Sequence, residues 1–131
     1  MQRRIIEERA RSRCEYCRAP QNISAYTFHV EHIIPRQHGG SDDLENLCLV
    51  CRECNYSKGP NLTGLLDGKI VPLFHPRRQV WKRHFRWEGG LLIGKSRCGK
   101  VTVQVLDMNN PARLMVRENL RAERRFPPSE E

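Results

Sequence analysis

The sequence predicts an α+β fold, with a small core of two short strands and a helix clasped by cysteines, followed by a basic extension of mixed α/β character. Three observations carry that expectation. Two Cys-x-x-Cys pairs, Cys14/Cys17 and Cys51/Cys54, are separated by 33 residues that must loop out and return, as a strand, a loop and a strand can do. Short stretches between the pairs alternate apolar and polar residues with the period of a strand. The cationic excess lies in one segment: residues 77–100 carry eight Lys/Arg against one Asp/Glu, whereas residues 1–76 carry ten against nine.

With 131 residues, 38% of them hydrophobic and 29% charged, the chain can bury only a modest core, and small cores are often supplemented by a metal. Six cysteines fit that need. An even count also suits the disulfides of a secreted protein. However, the opening Met-Gln-Arg-Arg-Ile-Ile-Glu-Glu-Arg is charged and amphipathic, without the apolar run of a secretion signal, and no stretch is long enough to span a membrane. A reducing, cytoplasmic setting with thiolates on zinc is therefore expected. The formal charge of +8 points to a polyanionic partner, and it falls only to about +6 once four thiolates and a dication are counted.

Residues 2–13 read as a helix, with Ile5, Ile6 and Ala10 on one side and charges elsewhere. Cys14-Glu-Tyr-Cys17 suits a tight turn in which two thiolates meet a tetrahedral metal and backbone N–H groups point at the sulfurs. Cys51-Arg-Glu-Cys54 is the other half. Cys48-Leu-Val-Cys51 has the same spacing, but residues 47–50 are apolar and β-branched enough for a strand, which points Cys48 and Cys51 to opposite faces. Cys48 is accordingly read as a small buried hydrophobe. Residues 27–34 form the first strand, whose regular alternation would separate Glu31 from His32 unless the strand bends there. Pro35 ends its pairing, and residues 37–43 form a loop around Gly39-Gly40 and Asp42-Asp43. Leu44-Glu-Asn-Leu leads into a second strand at 48–50, and residues 53–61 make a short helix carrying Asn55 and Lys58 and stopping at Gly59-Pro60.

Residues 61–76, broken by Gly64, Gly68, Pro72 and Pro76, read as linker with a short strand at 70–74. Residues 76–85 read as a basic helix, and residues 86–93 as a hairpin about Gly89-Gly90. Residues 99–109 are ambiguous: Val101, Val103 and Val105 alternate like a strand, while Val101, Val105 and Met108 fit a helix. Asn110-Pro111 gives an N-cap and a first-turn proline for a final helix over 111–124, and residues 126–131 are expected to fray.

Between the cysteine pairs, Glu31 stands beside His32, followed by His38-Gly-Gly, Leu44-Glu-Asn46-Leu and Cys54-Asn55-x-x-Lys58-Gly. In this order, residues 14–60 resemble the HNH endonucleases. The resemblance implies a ββα-metal core with a structural zinc knuckle on Cys14, Cys17, Cys51 and Cys54, with residues 1–62 as the nuclease core and 63–131 as the basic extension. It also tips residues 99–109 toward helix. The implied activity is metal-dependent hydrolysis of DNA phosphodiester bonds. His32 would act as general base, since an imidazole titrates near neutrality, and Glu31 and Asn55 would ligate a Mg²⁺ or Mn²⁺ ion. Asn46, the middle residue of the family name, would hold the loop and orient His32 through backbone contacts.

Glu31 departs from the Asp or His the family usually carries there, and His29 is near enough in sequence to be a third ligand or the partner of Asn55. Arg36 and Lys58 are candidate phosphate clamps. Arg77, Arg78, Lys82 and Arg83 are candidate contacts to the DNA backbone, with Trp81, Phe85 and Trp87 as a mini-core that attaches the extension. His38 is within reach of the leaving phosphate but reads as an uninvolved loop histidine, and His75 and His84 read as structural. A homodimer would allow both strands to be cut. The competing reading is a non-catalytic zinc-knuckle nucleic-acid binder, which Glu31 favours. A zinc-stapled protein-interaction module would explain the cysteines but not the basic segment.

Overall fold

Every strand in the computed structural model, which describes residues 2–127, has a single partner, giving three separate two-stranded antiparallel sheets. The first joins β1 (His29–His32) to β2 (Leu47–Val50), with Glu31 opposite Cys48 and His32 opposite Leu47. All four residues of β2 are buried, so this strand is the centre of the N-terminal half. Helix α2 (Arg52–Lys58) follows at once, its N-cap Cys51 accepting the backbone N–H of Cys54 on its sulfur. The same residue thus starts the helix and supplies a thiol, and strand, strand and helix form the α+β core.

Helix α1 (Gln2–Arg9) is shorter than the expected 2–13. Arg11 and Ser12 both take positive φ, a left-handed break that no helix continues through and that turns the chain into the knuckle. Ile6 and Ala10 are buried, whereas Ile5 remains exposed. The knuckle is tied to β2 by Glu15, whose backbone N–H donates to Leu49 O at 2.9 Å and whose Oε2 accepts from Leu49 N at 2.8 Å.

The stretch read as linker is instead a hairpin, β3 (Thr63–Leu66) with β4 (Lys69–Pro72). Its turn residues Asp67 and Gly68 both have positive φ, the conformation of the two-residue turns that Asp-Gly favours because they match strand twist. The basic helix expected over 76–85 is reduced to α3 (Trp81–His84). Residues 75–79 form a turn instead, in which the His75 ring Nδ1 accepts the N–H groups of Arg77 and Arg78 and Gln79 Oε1 accepts that of His75. The hairpin of β5 (Phe85–Glu88) and β6 (Leu91–Gly94) lies at the expected place. The ambiguous stretch is helical only as far as Val105, in α4 (Arg97–Val105) with Ser96 as its cap, and continues as turn over 106–109. Helix α5 (Pro111–Ala122) is capped by Asn110, which accepts from Arg113 N.

Aromatic packing and a hydrogen bond to sulfur are among the contacts that fasten the extension to the knuckle. Trp81 stacks near Phe85 and Trp87 and donates its indole N–H to Tyr16 O at 2.8 Å, while Phe74 meets Tyr16 edge-on. From the other side Arg113 of α5 donates to Cys54 Sγ at 2.9 Å. Phe126, expected in a frayed tail, is buried against Trp87; the remainder of that tail, 128–131, lies outside the described residues.

Candidate active site and metal centre

The sulfurs of Cys14, Cys17, Cys51 and Cys54 lie within 4.8 Å of one another, and all four residues are buried. Each Cys-x-x-Cys turn aims a backbone N–H at its own first sulfur, Cys17 N at Cys14 Sγ (3.5 Å) and Cys54 N at Cys51 Sγ (3.4 Å). Hydrogen bonds from Cys14, Cys51 and Cys54 hold the Cys17 thiol well below its ordinary range. Hydrogen bonding to Cys14, Cys17 and Cys54 pushes Cys51 up, and burial, ahead of the neighbouring thiols, does the same to Cys54. One thiolate therefore suppresses ionisation of the others, and a dication at their centre would remove that conflict. Four converging sulfurs with N–H donors behind them fit a closed, tetrahedral structural zinc site. Cys48 lies outside the group and is pushed up to about 12 by burial, the behaviour of a neutral small hydrophobe rather than a ligand.

A cleft of about 450 Å³ opens between the first sheet and α2, lined among others by Glu31, His32, Asn55, Lys58, Arg36 and Tyr16. Successive strand residues point to opposite faces, yet Glu31 and His32 share this cleft because His32 ends β1 and the chain bends immediately after it. Helix α2 supplies Asn55 and Lys58 from the facing wall. Lys58 is buried and donates to Ile33 O at 3.1 Å. Burial lowers its pKa, with Cys48 and Glu31 opposing. His29 sits two positions from Glu31, its Nδ1 3.9 Å from Glu31 Oε2, but it does not line the cleft.

Asn46 is buried and uses both ends of its amide on backbone. Oδ1 accepts from Ile34 N at 2.9 Å, and Nδ2 donates to Ile34 O at 2.9 Å and Ser41 O at 2.8 Å. It thereby holds the loop after β1 against the start of β2. Gly40 lies in the same crossing, where a Cβ would collide with the Ile34 carbonyl, so only glycine fits. His38 Nε2 pairs with Pro60 O at 3.1 Å, tying this loop to the end of α2.

One residue that the sequence marks only as a turn former meets the cleft histidine. Asp42 Oδ1 lies 2.8 Å from His32 Nε2 and accepts from Arg36 Nε, also at 2.8 Å. Hydrogen bonds from Arg36, then from His32, hold the Asp42 carboxyl below its usual range. Arg36 is exposed at the cleft edge but already engaged with Asp42. Asp42 gave no stronger signal in the sequence because its partner stands ten positions away across an irregular loop.

The basic segment divides. Arg78, Lys82 and Arg83 are exposed. Arg77, expected among the nucleic-acid contacts, instead forms an ion pair with Glu15 in which both side chains are almost fully covered, 11% and 5% exposed. Arg77→Ala would strand a buried carboxylate, so it is expected to destabilise the fold by about 3–5 kcal/mol, read by urea denaturation. A loss below about 1 kcal/mol would return Arg77 to the surface contacts.

Residues 14–61 match the family model for HNH endonuclease. The chain is 29% identical to the Septu protein PtuB of Bacillus thuringiensis over 110 residues, covering 82% of this chain and 41% of that protein. It is 42% identical to the CRISPR-associated endonuclease Cas9 of Corynebacterium diphtheriae over 53 residues, covering 40% of this chain and 5% of that protein. The chain thus spans less than half the length of either relative. No solved structure matches it. Among the described residues no helix is long and apolar enough to cross a membrane.

Proposed function

We propose that the HNH endonuclease domain at residues 14–61 is catalytically competent and hydrolyses DNA phosphodiester bonds, with residues 1–62 supplying the chemistry and 63–131 bracing the knuckle and extending the nucleic-acid contact. The single observation that supports this best is that Glu31, His32 and Asn55 share one cleft with the cations Lys58 and Arg36. A divalent ion such as Mg²⁺ or Mn²⁺, held through the Glu31 carboxylate and the Asn55 amide oxygen, would supply Lewis-acid stabilisation of the phosphate. His32 accepts a proton from water as that water's oxygen bonds to phosphorus. The phosphorus–oxygen bond to the leaving group then breaks, and the leaving oxygen takes a proton from solvent. Lys58, packed at the base of the cleft, contributes fixed positive charge where the phosphate gains negative charge. Asn46 keeps the loop that carries these groups in register.

The test is incubation of purified protein with supercoiled plasmid in Mg²⁺, Mn²⁺ or chelator. Metal-dependent nicking is the expected result. A gel shift without cleavage in any metal would favour the zinc-knuckle binder, which Glu31 supports by departing from the family's usual Asp or His. One cleft per chain cuts one strand at a time, so a homodimer would allow both strands to be cut together.

The exposed Arg78, Lys82 and Arg83 should act through phosphate, which makes affinity salt-sensitive and largely sequence-independent. Replacing all three with alanine is expected to weaken binding uniformly across sequences. The slope of log affinity against log salt should fall by about 2–3, since each neutralised phosphate contributes roughly 0.9. An unchanged slope in a filter-binding titration would move the interface elsewhere.

A further inference from the structure

We propose that Asp42 is the positioning residue of the candidate catalytic imidazole: its carboxylate accepts the hydrogen bond of His32 Nε2–H, which leaves Nδ1 as the nitrogen that takes the proton from the attacking water. This rests on the nuclease reading above, and it assigns a residue and a tautomer that the family match does not.

The geometry is direct. Asp42 Oδ1 and His32 Nε2 are 2.8 Å apart. An ionised carboxylate can only accept, so a neutral imidazole at that distance must carry its proton on Nε2, and its other nitrogen is then the acceptor. Asp42 does not line the cleft and His32 does, so Nε2 is engaged by the loop and the ring serves the cleft with its remaining nitrogen. When Nδ1 takes the proton of water, the imidazolium that results keeps its Nε2–H on a negative partner, so the charge gained is offset where it forms.

An aspartate whose side chain is 68% exposed would be too loose to define a tautomer unless something held it, and two contacts do. Arg36 Nε donates to the same Oδ1 at 2.8 Å, and the neighbouring residue Ser41 is fixed through its carbonyl by Asn46 Nδ2 at 2.8 Å. The path from buried Asn46 to the imidazole therefore runs through the backbone of Ser41 and the carboxylate of Asp42. It gives Asn46 a physical route to orienting His32, although Asn46 does not line the cleft.

Two readouts test this on the full-length, zinc-loaded protein. Ring ¹⁵N shifts of His32 in the free protein should report the Nε2–H tautomer, and Asp42→Ala should convert this to a mixture. In plasmid nicking with Mn²⁺, Asp42→Ala should lower kcat about tenfold to hundredfold with KM and zinc content unchanged, and Asp42→Glu should recover part of the loss. The loss is smaller than the roughly 10⁴-fold seen when a fully buried carboxylate of this kind is neutralised, because solvent can partly replace Asp42. An Nδ1–H tautomer in the unmodified protein, or unchanged kcat in Asp42→Ala while the unmodified protein nicks, overturns the role of Asp42 and leaves the nuclease reading standing. Absence of nicking by the unmodified protein overturns both, whatever the ¹⁵N pattern.

Discussion

Replacing Cys14 with serine is expected to abolish zinc binding and unfold residues 14–60. Cys14 is fully buried, and its sulfur is one of four that converge to within 4.8 Å; a serine hydroxyl offers a harder, far less acidic oxygen that does not replace a thiolate on zinc. A structural zinc of this class contributes about 10–16 kcal/mol of apparent folding free energy. A whole small domain retains only about 5–15 kcal/mol of net stability. The metal term is therefore as large as the whole net stability, and its loss leaves no margin for folding. The first sheet pairs only four residues per strand, too little to hold the knuckle closed alone. Loss should spread into the extension, because Trp81 is fastened to Tyr16 and Arg113 to Cys54. The measurements are metal content after dialysis and circular dichroism, with tryptophan fluorescence reporting detachment of Trp81. A folded, zinc-free Cys14→Ser protein would show that packing rather than the metal holds this half together. Cys48→Ala should leave zinc content unchanged, since Cys48 lies outside the cluster.

The knuckle was legible in the sequence because tetrahedral coordination imposes a spacing, and the choice of Cys54 over Cys48 as the partner of Cys51 followed from strand alternation. That Glu31, His32 and Asn55 would lie together was suggested by short motifs at a strand end and a helix start, and all three do line one cleft; the roles given to them are the proposal above. What the sequence concealed depends on partners distant along the chain. Residues 61–76 have the Gly and Pro content of a linker, yet Asp67-Gly68 is a hairpin signal whose strands become visible only once Val71 is seen buried beneath α4. Arg77 is one more cation in a basic run until Glu15, far upstream, is placed against it. Asp42 reads as a turn residue until the loop folds back on His32. Charges are the hardest residues to place from sequence, because the same guanidinium or carboxylate is solvated, buried or functional according to what faces it.

His32→Ala is expected to lower metal-dependent nicking by about 10²–10⁴-fold, the usual contribution of a positioned general base, or about 3–5 kcal/mol of transition-state stabilisation at 1.36 kcal/mol per tenfold. Folding, zinc content and DNA affinity should be unchanged, because His32 ends β1 and lies at the cleft rather than among the thiols or the exposed cations. The loss should fall on kcat, with KM little altered, since the imidazole is needed when water loses its proton and not when DNA docks. Residual activity should remain, because Lys58 and the bound ion still favour the charge that develops on phosphate. His29 is the necessary comparison. It is the other imidazole of β1, 3.9 Å from Glu31 but outside the cleft lining. His29→Ala should therefore change the rate by less than about threefold if His32 is the base, since a group that does not reach the water cannot take its proton. A large loss in His29→Ala beside a small one in His32→Ala would exchange their roles and place the divalent ion and its water on the outer side of Glu31. That outcome would leave the zinc clasp intact and the cleft without its chemistry.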